Sequence, residues 1–400
     1  MPPRTRSAAA VDAQSRGLPN TALAGRRPPL RLNVDVLTEI MSSLPTRKDR
    51  ARMSSTCRAL RAAAPKALLD GQVTLSHWNQ FHSFYSFMFA DSKRRFRYLR
   101  NLSFEFLLVH RNGPRLFALV AKLLKYATEL EELRVLNSDL LGLDDTLRSS
   151  LSAVKRLRFL RLHSVDARTW DALAHLGSPL PEIDVSFYNY AGDIIDPLPF
   201  LAPFRDTLRT IAMSFVELST ADVLYDSVTA LHISCCYYAE LVVLERCFPK
   251  LRELAYEVSE DQELEDQQDE EIQQTRELNV DTASHSVWPS LRRASGTITS
   301  LYTLGLKCRI EYLDVAQTMM GTTEHRLRLR TILSDVRPTG LDLHIEVPGT
   351  TFSELVDTLL PARESLTLLT LAIDLHGHEY EDPSAQLVSP AVSQVIRSHG

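Results

Sequence analysis

The residues best placed for chemistry lie near the C-terminal end. His376 and His378 flank Gly377, and Glu379, Glu381 and Asp382 follow. Imidazole and carboxylate groups together hold divalent metals. Nothing else supplies a matched ligand set, so these side chains read as the surface of a polar turn, and no metal is expected. Five cysteines stand at 57, 235, 236, 247 and 308, with no C-x-x-C pair. A scattered odd count fits a reducing compartment, not a disulfide framework. The chain has no G-x-G-x-x-G, Walker loop, H-E-x-x-H or G-x-S-x-G. Its 14 glycines leave little backbone for a phosphate cradle. No catalytic residue and no cofactor is therefore expected, and the chain does not read as an enzyme. Lys93, Arg94, Arg95, Arg97 and Arg100 form a basic cluster able to meet phosphates. No base-stacking framework accompanies it, so a solvated helix end is the better reading and nucleic acid is not an expected partner.

The elements that carry these residues are written in the apolar spacing. Four hundred residues suggest two to three domains. The net charge of −5 is uneven: Glu257 to Glu277 holds ten acidic residues and one arginine, which leaves the remainder basic. That Glu- and Gln-rich run offers little to bury, so 257–285 is expected to be a disordered insertion, and excising Glu260 to Glu277 is expected to leave the melting temperature nearly unchanged. Residues 1–29 are rich in Ala, Arg, Ser and Pro, with Asp12 the single acid. Their prolines interrupt any helix, which favours a disordered basic arm over a transit peptide. No stretch reaches the ~20 apolar residues of a membrane span, and the expected location is cytoplasmic or nuclear.

From Leu30 to Pro65, apolar residues recur at helical spacing: Leu32, Val36, Leu37, Ile40 and Leu44, then Met53, Cys57 and Leu60. Pro45 divides them. Two or three short amphipathic helices in such a segment (30–66) cannot bury a good core alone. Trp78, Phe81, Tyr85 and Phe89 share a further helical face, read as a linker and capping helix over 67–95.

Beyond residue 95 an apolar-x-x-apolar-x-apolar phrase returns. Its copies begin at Leu99, Leu130, Leu157, Leu180, Leu208, Val228 and Leu251, with weaker ones at Ile310 and Leu366 and a partial one at Leu341. The alternation predicts short strands with one buried face. Helical faces lie between them: Leu147, Leu151 and Val154; Leu241, Leu244 and Phe248; Leu329, Ile332, Leu333 and Val336. Lead-ins such as Cys247-Phe248-Pro249 and Trp288-Pro289 set a turn before a strand. The expected fold class is α/β: a short all-helical module, then an irregular leucine-rich-repeat solenoid with a parallel curved sheet over 96–400. A compact α/β domain with an open sheet is the alternative. The residues between the buried positions form an exposed strip: Glu132, Arg134, Phe159, Arg161, His163, Asp184 and His232. They suit a polar recognition surface.

The segment 30–66 resembles an F-box. Leu37, Ile40 and Leu44-Pro45 match the family's first helix and its end, and Met53 to Arg61 matches the second helix and the start of the third. Leu32-Asn33 stands at the family's opening Leu-Pro, and Ala59 at its aromatic. The resemblance implies docking of a Skp-type adaptor through Leu32, Val36, Leu37, Ile40, Leu44, Pro45, Met53, Cys57 and Leu60. With the repeats it implies a substrate receptor of a cullin–RING ubiquitin ligase. A non-degradative repeat scaffold is the alternative.

Overall fold

The computed structural model describes residues 33–91, 93–105, 113–136, 144–165, 167–187, 196–236, 239–258, 268–283, 287–319, 323–346, 352–374 and 392–397. The chain divides into two compact units, Met1–Ala67 and Leu68–Gly400.

In the first unit, α1 (Val34–Ser43), α2 (Arg47–Ser54) and the start of α3 (Arg58–Leu69) follow one another closely. Asn33 caps α1 by accepting from the Asp35 amide. Thr46 caps α2: its Oγ1 accepts from the Asp49 amide at 3.1 Å and donates to the Asp49 carboxylate at 2.7 Å. Leu44 and Pro45 fall in the break between these helices. Arg50 ties the unit together, donating from Nε to the Leu44 carbonyl (2.9 Å) and from Nη1 to the Ala67 carbonyl (2.8 Å). Among the described residues the buried apolar ones are few: Met41, Leu60, Ala64, Pro65 and Ala67.

The second unit is an α/β fold in which strands and helices alternate. Its strands are β1 (Gln72–Leu75), β2 (Asn101–Phe104), β3 (Glu132–Val135), β4 (Phe159–His163), β5 (Glu182–Ser186), β6 (Thr210–Ser214) and β7 (Ala230–Cys236). They continue as β8 (Glu253–Val258), β9 (Ser290–Gly296), β10 (Arg309–Met319), β11 (Gly340–Glu346) and β12 (Leu368–Asp374). These 12 strands pair in chain order and all in parallel. A short antiparallel strand, β13 (Val392–Arg397), pairs with β12. The intervening helices are α4 (Trp78–Phe89), α5 (Gly113–Tyr126), α6 (Asp145–Leu151), α7 (Ala167–Leu173), α8 (Leu198–Leu201) and α9 (Leu241–Cys247). Then follow α10 (Gln268–Ala283), α11 (Ile298–Leu304), α12 (Thr323–Val336) and α13 (Phe352–Leu359).

The repeated phrase sets the register. One buried row runs Val73, Leu102, Leu133, Leu160, Ile183, Ile211, Leu231 and Leu254 from strand to strand, and a second runs Leu75, Phe104, Val135, Leu162, Val185, Met213, Ile233 and Tyr256. Both rows continue through Ala294 and Gly296 of β9 into β10, β11 and β12. Such strand–helix alternation on a parallel sheet is what a leucine-rich-repeat-like solenoid requires. After β4 and β6 the chain turns through a left-handed residue two positions past the last buried one, Ser164 (φ 56°) and Phe215 (φ 59°), and within β7 Cys235 (φ 49°) takes the same conformation two positions past Ile233.

Two expectations need correction. The first concerns 67–95, which is no linker: β1 pairs with β2 and packs with α4, so this stretch is itself a strand–helix repeat. The phrase is disguised there, because Leu69 and Val73 stand four apart across Gly71, whose φ of 74° suits glycine. Secondly, the acidic insertion is not disordered over Gln268–Ala283, because α10 is a helix there with Ile272, Arg276 and Asn279 buried. Those three share a face at i, i+4 and i+7, but two are polar, so the sequence hides the stripe. Residues 259–267 lie outside the described residues. As expected, a strand, β9, follows the Trp288-Pro289 lead-in, with small residues at both core positions. A Cβ on Gly296 would lie 2.2 Å from the Tyr256 carbonyl oxygen, which reserves the position for glycine.

Candidate functional site

The expected adaptor residues fall into three groups. Val36 and Ile40, one turn apart on α1, are each 44% exposed, as is Val34, which the pattern reading passed over. Pro45 and Cys57 are also exposed, while Leu37, Leu44 and Met53 are half-buried. Leu60 is buried in the fold itself, so it supports the helices instead of presenting a contact. Leu32 lies outside the described residues. The signal for Val34 was present in its apolar type one turn before Leu37, but the N-cap at Asn33 makes it the first residue of the helix.

The strip on the sheet comes together as register demands. Arg134, Arg161, Asp184, Ala212 and His232 occupy one cross-strand row, and Glu132, Phe159 and Glu182 the row beside it. Alternate residues point away from the buried rows, so these side chains face outward. Arg134 pairs with Glu132 at 2.5 Å and Arg161 with Asp184 at 2.5 Å. Both guanidinium groups lie over the Phe159 ring, at 5.3 and 5.7 Å from its centroid. His163 is half-buried beyond them; its burial lowers the imidazole pKa from 6.5, with Asp184 opposing. His232 is exposed. The arrangement is a lattice of ion pairs around one aromatic ring, suited to holding polar groups of a partner.

The same rows continue to strands that the strip did not include. Arg293, Tyr312 and Gly340 extend the Glu132 row, while Asp314 and Asp342 extend the Arg134 row. Arg293 pairs with Asp314 at 2.5 Å, and the Tyr312 hydroxyl donates to Asp342 at 3.2 Å. The phrase Ile310-x-x-Leu313-x-Val315 already placed Tyr312 and Asp314 between core residues, so the pattern contained them.

The basic cluster is engaged by its surroundings. Lys93 lies 3.8 Å over the Tyr126 ring and Arg95 stacks 4.2 Å over Phe87 while donating to the Phe87 carbonyl at 2.6 Å. Arg97 contacts Tyr98, and Arg100 pairs with Glu131 at 2.5 Å. The aromatic face of α4 is core: Phe81 is fully buried, and Trp78, Tyr85 and Phe89 pack against the same cluster. Burial pushes the thiols up, Cys236 to about 12 and Cys247 and Cys308 each to about 11, so these three sulfurs act as apolar packing. His376, His378, Glu379, Glu381 and Asp382 lie outside the described residues. Among the described residues no His, Cys, Asp or Glu group is arranged to hold a metal, and no helix is long and apolar enough to cross a membrane.

Compared with models of known protein families and with curated proteins, the chain matches none.

Proposed function

We propose that this protein is a substrate-recognition subunit of a cullin–RING ubiquitin ligase. The N-terminal helices dock a Skp-type adaptor and the repeat sheet holds the substrate. The observation that carries the reading is the exposed apolar pair on one face of α1, Val36 and Ile40, with Val34 exposed at the start of the helix, on a helical unit with few buried apolar residues among those described. Apolar helix faces of this kind complete their core on a partner. The F-box resemblance of 30–66 assigns that partner, with Leu37, Leu44, Pro45, Met53 and Cys57 as further contacts that the resemblance implies. The outward rows of the sheet supply charged and aromatic groups for the substrate. No bond chemistry is asked of this chain: it raises the local concentration of a substrate lysine beside the ubiquitin-loaded enzyme.

The test is a titration of purified Skp-type adaptor against the full chain, the Ile40→Ala variant and a chain lacking residues 30–66. The full chain should bind saturably and the deletion should not. Ile40→Ala should weaken binding about thirtyfold, the effect of losing roughly 2 kcal/mol at an anchor residue. A folded full chain that ignores the adaptor would leave a stand-alone repeat scaffold.

A further inference from the structure

On the helical side of the first repeats, three lysines gather around one pair of rings. α4 carries no Asp, Glu, Lys or Arg, and α5 carries Arg115, Lys122 and Lys125 with no acid. Lys93, just before the 3₁₀ turn Arg94–Tyr98, is held in the left-handed region (φ 67°, ψ 5°), which strains a residue with a Cβ. Its ammonium lies 3.8 Å over the Tyr126 ring, and that of Lys122 lies 5.1 Å over Phe89, whose centroid is 5.8 Å from that of Tyr126. Lys93 donates to the Tyr126 hydroxyl; this bond and its charge lower the phenol pKa, burial opposes them, and Lys125 and Lys122 add to the lowering. All three ammonium groups thus converge on one phenol. The rings hold them without neutralising them, because a ring quadrupole carries no net charge. Lys93, Arg94, Arg115, Lys122 and Lys125 are exposed, and none has an ion-pair partner among the described residues. Neighbouring acids are engaged elsewhere. Glu129 is held by Arg156 at 2.5 Å and Arg100 at 3.5 Å; on α6, which packs on α5, Asp144 caps its own helix and Asp145 pairs with Arg148 at 3.8 Å. Only Asp91 is left beside these five cations, so the face is basic.

We propose that this face binds an acidic segment of a partner polypeptide, whose Asp or Glu carboxylates meet Lys93, Lys122 and Lys125, with Arg94 and Arg115 flanking. An ammonium is a point charge that asks no fork geometry of its acceptor, so a flexible run of carboxylates suits it. Nucleic-acid bases do not, because Lys93 and Lys122 already cover the rings on which a base would stack. A bilayer is the poorer fit too, since no large apolar side chain among the described residues of α4 and α5 is exposed for insertion. The run from Lys93 to Arg100 reads as a solvated helix end in the sequence; α5 makes it a patch by adding Lys122 and Lys125. The proposal goes beyond the receptor reading and does not depend on the adaptor.

The probe is a fluorescein-labelled hexaglutamate peptide, with its hexaglutamine counterpart, titrated into the full chain and followed by fluorescence anisotropy. The glutamate peptide should bind saturably, about tenfold or more tighter than the glutamine peptide, and should weaken as ionic strength rises from about 0.05 to 0.3 M. Lys122→Gln with Lys125→Gln should weaken it about tenfold. Lys48→Gln with Lys66→Gln removes the same charge from exposed positions of the first unit and should leave affinity within about twofold. All four positions are exposed, and circular dichroism checks that both double variants fold. No saturable binding, equal binding of the glutamine peptide, or equal loss in the two double variants would each overturn the proposal. Decathymidylate binding more tightly than the glutamate peptide, or recruitment to phosphatidylserine vesicles that the peptide fails to compete, would overturn it by giving the patch to another class of partner. The adaptor titration reads the first unit, so the two results fail separately.

Discussion

Asn279 shows how much one side chain contributes to this molecule. Its Oδ1 accepts from the Leu241 amide at 2.8 Å, and its Nδ2 donates to the carbonyls of Ala239 (3.2 Å) and Thr303 (2.8 Å). The residue is buried, so water cannot replace these partners. Asn279→Ala leaves three backbone groups unsatisfied, and each costs about 1–3 kcal/mol when water cannot reach it. The expected result is a melting temperature lower by at least about 4 °C, read by calorimetry; an unchanged transition would show that the pocket readmits water. Sequence pattern did not reveal this residue, because an asparagine in an acidic run looks like solvent-exposed chain until its three partners are seen. The outward residues Arg134, Arg161 and Asp184 were legible, since strand alternation alone places them opposite Leu133, Leu160 and Ile183.

At the scale of an element, α10 is the informative case. It is held by ion pairs and polar bonds more than by apolar surface. Arg276 donates to the Tyr302 carbonyl at 2.6 Å, stacks on the Tyr302 ring at 4.3 Å and pairs with Asp335 at 2.5 Å. Asp335 also receives Lys307, and Arg328 of α12 reaches back to Asp269 at 2.5 Å. Removing one partner of a buried pair costs about 3–5 kcal/mol because the other charge stays buried; here Lys307 offsets part of that for Asp335. Excising Glu260 to Glu277 should therefore lower the melting temperature distinctly, the reverse of what composition suggests. A deletion variant that melts with the intact chain would mean that α10 adds nothing to the stack. The Gly305 turn points the same way: its φ of 60° is left-handed, and a Cβ there would lie 2.8 Å from Val280 of α10. The sequence keeps this turn small so that the acidic helix can approach.

At the scale of the whole molecule, the two units differ in what they can bury. The contiguous buried cluster begins at Leu69 and runs to Leu371, so the repeat unit owns its core. The described residues before it offer five buried apolar side chains, three of them alanine or proline. A chain beginning at Leu68 should therefore keep a cooperative unfolding transition, whereas a peptide of residues 33–67 should show little helix by circular dichroism, since short helices are marginal in water without a packed face. Stable helix in the isolated peptide would remove the reason to expect a partner for α1. The sequence by itself determined the α/β class, most of the strands, their buried rows and the helical N-terminal segment, because apolar periodicity is a local signal that burial of one face imposes on the chain. Only the tertiary structure decided that β9 enters the sheet with alanine and glycine, that the acidic run is helical from Gln268, that Leu60 is buried while Val34 is exposed, and that Tyr312 lies on Gly340. Each of these depends on what a distant segment places opposite the residue, and no periodicity along the chain records that.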